Sequence, residues 1–382
     1  MIRRIESLDH LRGLMAVAIM LFHYVSWATG ELGSDTILGR LGIYGVSIFY
    51  ILSGLSLAMV YRTRVQLLSD WLRFGVKRIF RIFPLFWLAT SSAILLRYLA
   101  FCMDIKPEFG VTGLDAFLNY TLLFSFVEPG AYLTTGAWSI GNEIVFYTLF
   151  PLFILIACRS HRLFIAVVLM VFGAYVYCSM ILLTPTESLA EQWELYINPV
   201  NQLLLFVIGV TFGVYCPSPQ VGGSRVAITA FAAAAALFCL YPAAGDQSQI
   251  ATGMNRLAFT AICAVVVAAA YYSDFQLPTP IAKALRFLGE ACYSIYLLHP
   301  LVAMPIAYLF AWAKMNLSLA YLISAVLTLG ASYLSFRYLE QPMIRVGNSV
   351  ADLLKSRRAS DAIPHDQRIE SPETNLGKRL AA

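Results

Sequence analysis

Residues Ser7 to Trp27 read SLDHLRGLMAVAIMLFHYVSW. The stretch has the length and apolarity of a membrane-crossing helix, yet it carries Asp9, His10, Arg12 and His23. An ionisable side chain in hydrocarbon costs at least about 2.5–3.5 kcal/mol on insertion scales, so such groups face a protein interior and mark functional sites. Arg12 and His23 are eleven residues apart, which at about 100° per residue is three turns plus roughly 20°, so both lie on one face. Asp9 shares that stripe. Along the axis the two are separated by about 16 Å, half the thickness of a bilayer core. A cation at one membrane surface and an imidazole deeper in are therefore expected on the same helix wall.

The rest of the chain extends this reading. Of 382 residues, 59% are hydrophobic and 13% charged, and the mean hydropathy is +0.71. That is too apolar for a soluble domain of this size and predicts an all-α polytopic membrane protein. The apolar runs are continuous, which excludes the alternating ten-residue strands of a membrane barrel. Ten spans are expected, at about 8–28, 42–61, 80–100, 138–158, 163–183, 200–216, 225–243, 257–273, 287–312 and 319–338. Most of the 27 basic residues then fall on the side that holds Arg3, Arg4 and Arg12. Only Arg40, Arg97, Lys106, Arg256 and Lys314 fall on the other. The positive-inside rule makes the first side cytoplasmic, with both termini there.

The net charge of +5 thus reflects topology and gives no reason to invoke nucleic acid. Residues 1–345 are expected to form the transmembrane domain, and 346–382 a polar, disordered cytoplasmic tail. The loop 101–137, with apolar patches from Phe117 to Phe126, reads as an interfacial or re-entrant element. The seven cysteines are scattered without a CxxC pair, so neither a metal site nor a disulfide framework is expected.

Several groups could carry chemistry. His23 can serve as a general base or as an interhelical hydrogen-bond partner. Glu143, in WSIGNEIVFYTLFPLF, sits five residues into its span and needs a partner. Its depth matches that of His23, so a carboxylate–imidazole pair is expected. Arg78 and Arg81, in FGVKRIFRIFP, are i, i+3 and share a helix face. With Arg12 they form a basic mouth suited to phosphate. Ser53 and Gly54 lie at the centre of the second span, where small residues mean close packing or room for a ligand arm. Tyr293, Ser294, Tyr296 and His299, in YSIYLLHP, are interior polar groups and candidate substrate contacts. Glu340, in YLEQP, is expected to pair with an arginine of the mouth.

Taken in order, LDHLRG followed by His23, GVSIFYILSGLSL, KRIFRIFPLFWL, WSIGNEIVFYTLFPLF, YSIYLLHP and YLEQP resemble the membrane-bound acyltransferase-3 family. This family includes bacterial O-acetyltransferases of O-antigen, exopolysaccharide, Nod factors and macrolides. The resemblance implies a ten-span enzyme of the bacterial inner membrane, with no tightly bound cofactor. It would move an acyl group, acetyl above all, from cytoplasmic acyl-CoA to a hydroxyl of a saccharide or lipid-linked glycan. It also implies a catalytic role for His23 and Glu143, and acyl-CoA binding by Arg12, Arg78 and Arg81. On the reading of the residues themselves, Gly54 is expected to flank the arm of acyl-CoA, and Ser53, Tyr293, Ser294 and His299 to meet the substrate. The chain departs from the usual pattern at His10, at Lys77-Arg78 and at Asn142. The rival reading, from a different class, is a proton-coupled carrier using His23 and Glu143 as a relay.

Overall fold

The computed structural model describes residues 5–62, 68–216, 224–273 and 277–361, and among these the chain is predominantly helical, without a strand. The main helices are α1 (Glu6–Thr29), α2 (Ile37–Tyr61), α3 (Leu68–Cys102), α4 (Ala137–Arg159), α5 (His161–Tyr177) and α6 (Pro199–Tyr215). They are followed by α7 (Arg225–Leu240), α8 (Gly253–Tyr272), α9 (Thr279–Glu290), α10 (Cys292–Trp312), α11 (Leu317–Ser335) and α12 (Gln341–Asp361). Nine helices among the described residues are long and apolar enough to cross a membrane. The expected span at 225–243 is instead the shorter α7, of 16 residues.

Local chemistry sets the ends. Thr36, Ser160 and Ser224 cap α2, α5 and α7 with their hydroxyls, each accepting a backbone N–H that the first turn leaves unpaired. Asn198 does the same for α6, where Pro199 follows in the first turn. The far end of α7 is satisfied from outside. The buried Arg40 guanidinium donates to the carbonyls of Phe238 (2.8 Å), Cys239 (2.7 Å) and Tyr241 (2.7 Å). A cation over a helix C-terminus meets both its unpaired carbonyls and its dipole. Arg256, also buried, donates to Asn201 Oδ1 (2.9 Å) and the Asn201 carbonyl (3.0 Å) and lies on the Tyr175 ring. Both arginines belong to the few basic residues on the expected outer side, and both are spent on internal carbonyl and amide oxygens.

The tightest packing joins α2 to α6. A Cβ on Gly54 would collide with the Phe206 carbonyl, and one on Gly209 with the Ile51 carbonyl. The two backbones touch at these glycines, a small-residue contact of the kind that drives helix association in lipid. Gly54 therefore leaves no room for a ligand arm, which corrects its expected place in the acyl-CoA site: the adjacent helix fills the space. Gly54→Val is expected to destabilise the protein by at least about 3 kcal/mol, read as a lowered melting temperature in detergent. An unchanged melt would mean that the helices are not in backbone contact.

Two boundaries differ from expectation. Helix α3 begins at Leu68, a dozen residues before the expected span, so Arg73, Lys77, Arg78 and Arg81 are all helical. Helix α12 runs to Asp361, where a disordered tail from 346 was expected; residues 362–382 of that tail lie outside the described residues. The two helices support each other. Arg73 bonds the Ala351 carbonyl (3.0 Å) and pairs with Asp352 (3.2 Å), and Phe80 occupies the notch left by Gly347. Between α11 and α12 a π-turn, Phe336–Glu340, inserts one extra residue, and Glu340 is buried there.

The loop 101–137 forms two short helices, Gly113–Thr121 and Phe124–Val127. Thr112 and Asp115 make a reciprocal capping box at the first. Asn119 ties the loop down by bonding the carbonyls of Asp115 and Ala131 and the N–H of Leu133. Leu114, Phe117, Phe126 and Val127 remain exposed, the surface expected of an element at a lipid boundary.

Candidate active site

A slot of about 280 Å³ lies among α1, α2, α3, α4 and α10. Its long wall is one stripe of α2, with Val46, Tyr50, Ser53, Leu57 and Tyr61 among its residues. That i, i+3/i+4 stripe runs over sixteen residues, or about 22 Å of helix.

One end is basic. Arg12 pairs with Asp9 (2.9 Å) and also donates to Ser56 Oγ and the Leu52 carbonyl (3.3 Å). Arg78 and Arg81 line the same end, as their shared face requires. The Arg78 guanidinium lies 5.8 Å from the Phe74 ring centroid and 5.9 Å from that of Tyr147. Its Nε is buried with no hydrogen-bond partner. Among the described residues neither Arg78 nor Arg81 makes an ion pair with an acid. A buried guanidinium nitrogen left unsatisfied is costly and suits a site that receives an anion.

The middle of the slot carries Glu143. The Tyr147 hydroxyl, one turn along α4, donates to its carboxylate (2.8 Å). Ser53 Oγ lies 3.1 Å from the same hydroxyl. Since the tyrosine proton goes to Glu143, Ser53 is the donor of the second bond. Tyr293 also lines the slot, its hydroxyl on the Ile82 carbonyl (2.8 Å). The far end is aromatic, closed by Phe49 and Tyr296, and Tyr296 is held by the Gly136 carbonyl (3.0 Å) and Ser139 (2.8 Å).

Arg12, Arg78, Arg81, Ser53, Glu143 and Tyr293 all line this one cavity. His23, Ser294 and His299 do not line it. The expected His23–Glu143 pair is not formed. His23 Nδ1 lies 2.9 Å from Nε2 of His299, and the carboxylate of Glu143 is taken by Tyr147. Matched depth had put the two groups at one level, but α10 presents its own imidazole to α1 there. The two histidines sit just beyond the slot, the His299 ring 6.1 Å from that of Tyr296. Trp27 stacks on His23 at 5.3 Å. Ser294 is fully buried and bonds Glu340. Glu340 therefore has a hydroxyl as its hydrogen-bond partner, and the expected arginine, Arg81, acts on it through space without a direct ion pair. Tyr147 and Ser56 are site residues that the motifs did not single out. Both were signalled by helical spacing, at i+4 from Glu143 and i+3 from Ser53.

A second, wider cavity of about 770 Å³ lies where the loops around 30–36, 189–193 and 245–247 meet α1. Phe22, Ser26, Glu31, Asp35, Trp193 and Gln247 are part of its wall. Phe22 and Ser26 flank His23 in sequence, although neither histidine lines either cavity.

A bundle of membrane-crossing helices enclosing an arginine-ended slot, with paired imidazoles beyond it, defines a multi-pass membrane protein. The sequence pattern of the acyltransferase domain family, acyltransferase-3, matches residues 5–337, and the chain belongs to that family: it is a membrane acyltransferase. This sets aside the carrier reading. The chain is 26% identical over 298 residues to a putative acetyltransferase, ORF330, of Acidianus two-tailed virus, covering 76% of this chain and 81% of the relative. It is 25% identical to the acyltransferase MdmB of Streptomyces mycarofaciens (78% and 79% covered). It is 23% identical to the peptidoglycan O-acetyltransferase OatA of Listeria monocytogenes, covering 90% of this chain but 56% of that protein. No solved structure matches it.

Proposed function

We propose that this protein is an O-acetyltransferase of the bacterial inner membrane. In this reading it takes the acetyl group from cytoplasmic acetyl-CoA and delivers it to a hydroxyl of a saccharide or lipid-linked glycan. The observation that carries the reading is the basic end of the slot, where Arg12, Arg78 and Arg81 meet and Arg78 Nε lacks a partner. The donor's phosphates would bind there as charge-assisted, forked pairs. Ligand sites usually enclose roughly 300–1,000 Å³, so a slot of about 280 Å³ suits a thin arm better than a whole nucleotide. The adenosine would remain at the mouth. The arm would extend along α2 past Ser53, Tyr147 and Glu143, whose oxygens can bond its amides. The thioester would then arrive at Phe49 and Tyr296, one aromatic layer from His23.

The acceptor would approach from the second cavity, where carboxylates, an amide and the rings of Phe22 and Trp193 suit a polyhydroxylated ligand. His23 would take the proton of the attacking hydroxyl and return it to the departing CoA sulfur. In the alternative course, His23 takes the acetyl group first and passes it to the acceptor. Glu143 then belongs to donor binding rather than to the orientation of His23.

The test uses purified protein with acetyl-CoA and a crude glycolipid extract. Release of free CoA together with a glycan heavier by one acetyl group is the expected result. Solute uptake into proteoliposomes without thiol release would overturn it.

A further inference from the structure

With Glu143 bonded elsewhere, His23 needs another group to set its tautomer. We propose that His299 is that positioning residue: a neutral imidazole that fixes the proton of His23 on Nδ1 and leaves Nε2 as the reactive lone pair. The proposal rests on the reading of His23 as the base.

The order of donors is read from the far end. His299 Nδ1 lies 3.2 Å from the Ile295 carbonyl, one turn back on α10. A carbonyl oxygen can only accept, so this nitrogen carries a hydrogen. His299 is fully buried, and among the described residues no carboxylate bonds either ring. A second proton would place an uncompensated charge in the membrane interior, so the ring stays neutral. Its Nε2 is then a bare acceptor, and His23 Nδ1 at 2.9 Å must be the donor.

A further observation agrees. The ring centroids are 5.0 Å apart and the planes differ by 17°. That is little less than the hydrogen bond plus one ring radius on either side, so the nitrogens meet edge to edge along the lone-pair direction. Among the described residues, the rings of Tyr24 and Tyr296 pack on His299. Tyr24 is engaged with the His299 carbonyl and Thr328, Tyr296 with Gly136 and Ser139, and Tyr321 stacks behind Tyr24.

The chemistry balances without an acid. The acceptor's O–H bond breaks as Nε2 of His23 takes the proton. The oxygen forms a bond to the thioester carbonyl carbon, the C–S bond breaks, and the sulfur leaves with the proton from Nε2. While His23 is charged, its Nδ1–H donates to the lone pair of His299, so the charge is met by a strengthened hydrogen bond. A carboxylate in this role would have to be buried ionised, at greater desolvation cost.

Two measurements test the assignment. Nitrogen NMR of the full chain, labelled in histidine and held in nanodiscs, should report His23 protonated at Nδ1 and bare at Nε2. The opposite tautomer overturns the proposal, whatever the activity. Thiol release with acetyl-CoA and glycolipid extract should fall about a hundredfold in kcat for His299→Leu, with KM for acetyl-CoA unchanged. His299→Gln, whose amide oxygen can accept where Nε2 did, should recover at least tenfold of that loss. Equal losses in the two variants, tracking a lowered melting temperature, would make His299 merely structural. Full turnover by His23→Ala would instead remove the parent reading. A dead His23→Ala with the wrong tautomer in the wild type removes only this one.

Discussion

Replacing His23 with alanine is expected to lower acyl transfer by about a thousandfold, which corresponds to about 4 kcal/mol of barrier. Binding of the donor should not change. His23 does not line the slot that carries Arg12, Arg78 and Arg81, and its ring contacts are with Phe22, Trp27 and His299. The informative measurement is therefore a pair: thiol release with a glycolipid extract, and CoA affinity by calorimetry, on the same preparation. Lost turnover with retained affinity places His23 at the reacting atoms. Retained turnover removes it from the mechanism. Incubation with labelled acetyl-CoA but no acceptor separates the two chemical courses, since only the relay leaves label on the protein.

The second large effect is expected at the basic end, with the opposite signature. Arg78→Ala and Arg81→Ala should each raise KM for acetyl-CoA by at least about tenfold, the loss of a charge-assisted hydrogen bond of about 1.5–3 kcal/mol. The double variant should lose more than either alone, and kcat should change little. Lysine at either position should restore only part of the loss, since it keeps the charge but not the planar fork. The affinity of the wild type should fall with added salt where the arginines remain exposed at the mouth. Saturation by acetyl-CoA at unaltered concentrations in both variants would show that the donor's phosphates bind elsewhere.

The sequence showed most where one helix's own geometry decides the outcome. Continuous apolar runs gave the helical membrane class. The i, i+3 spacing of Arg78 and Arg81 put both into one cavity with Arg12. It showed least where the outcome depends on how helices are arranged around one another. Residue counts along each helix set His23 and Glu143 at one expected height, but they say nothing of which helices face one another. The partner of His23 came from α10, and that of Glu143 from its own helix. Gly54 could be read as an opening or as a contact, and only the position of Phe206 on α6 decides between them. The early start of α3 was hidden because charges at 73–81 look like a loop flank. They are helical because α12, itself expected to be disordered, lies alongside and takes Arg73 at Ala351 and Asp352.

The backbone contact of α2 with α6 has a mechanical consequence. One side of α2 is locked at Gly54 and Gly209, while its other side is the slot wall, so this helix behaves as a stator. Widening the slot to admit a bulky donor must fall to the opposite wall. There the arginine-bearing half of α3 is steadied by side chains of α12 rather than by interlocked backbones. In the proposed reading, the part that grips the phosphates is thus also the part free to yield. Loading of the donor and its retention would then be two positions of the same jaw.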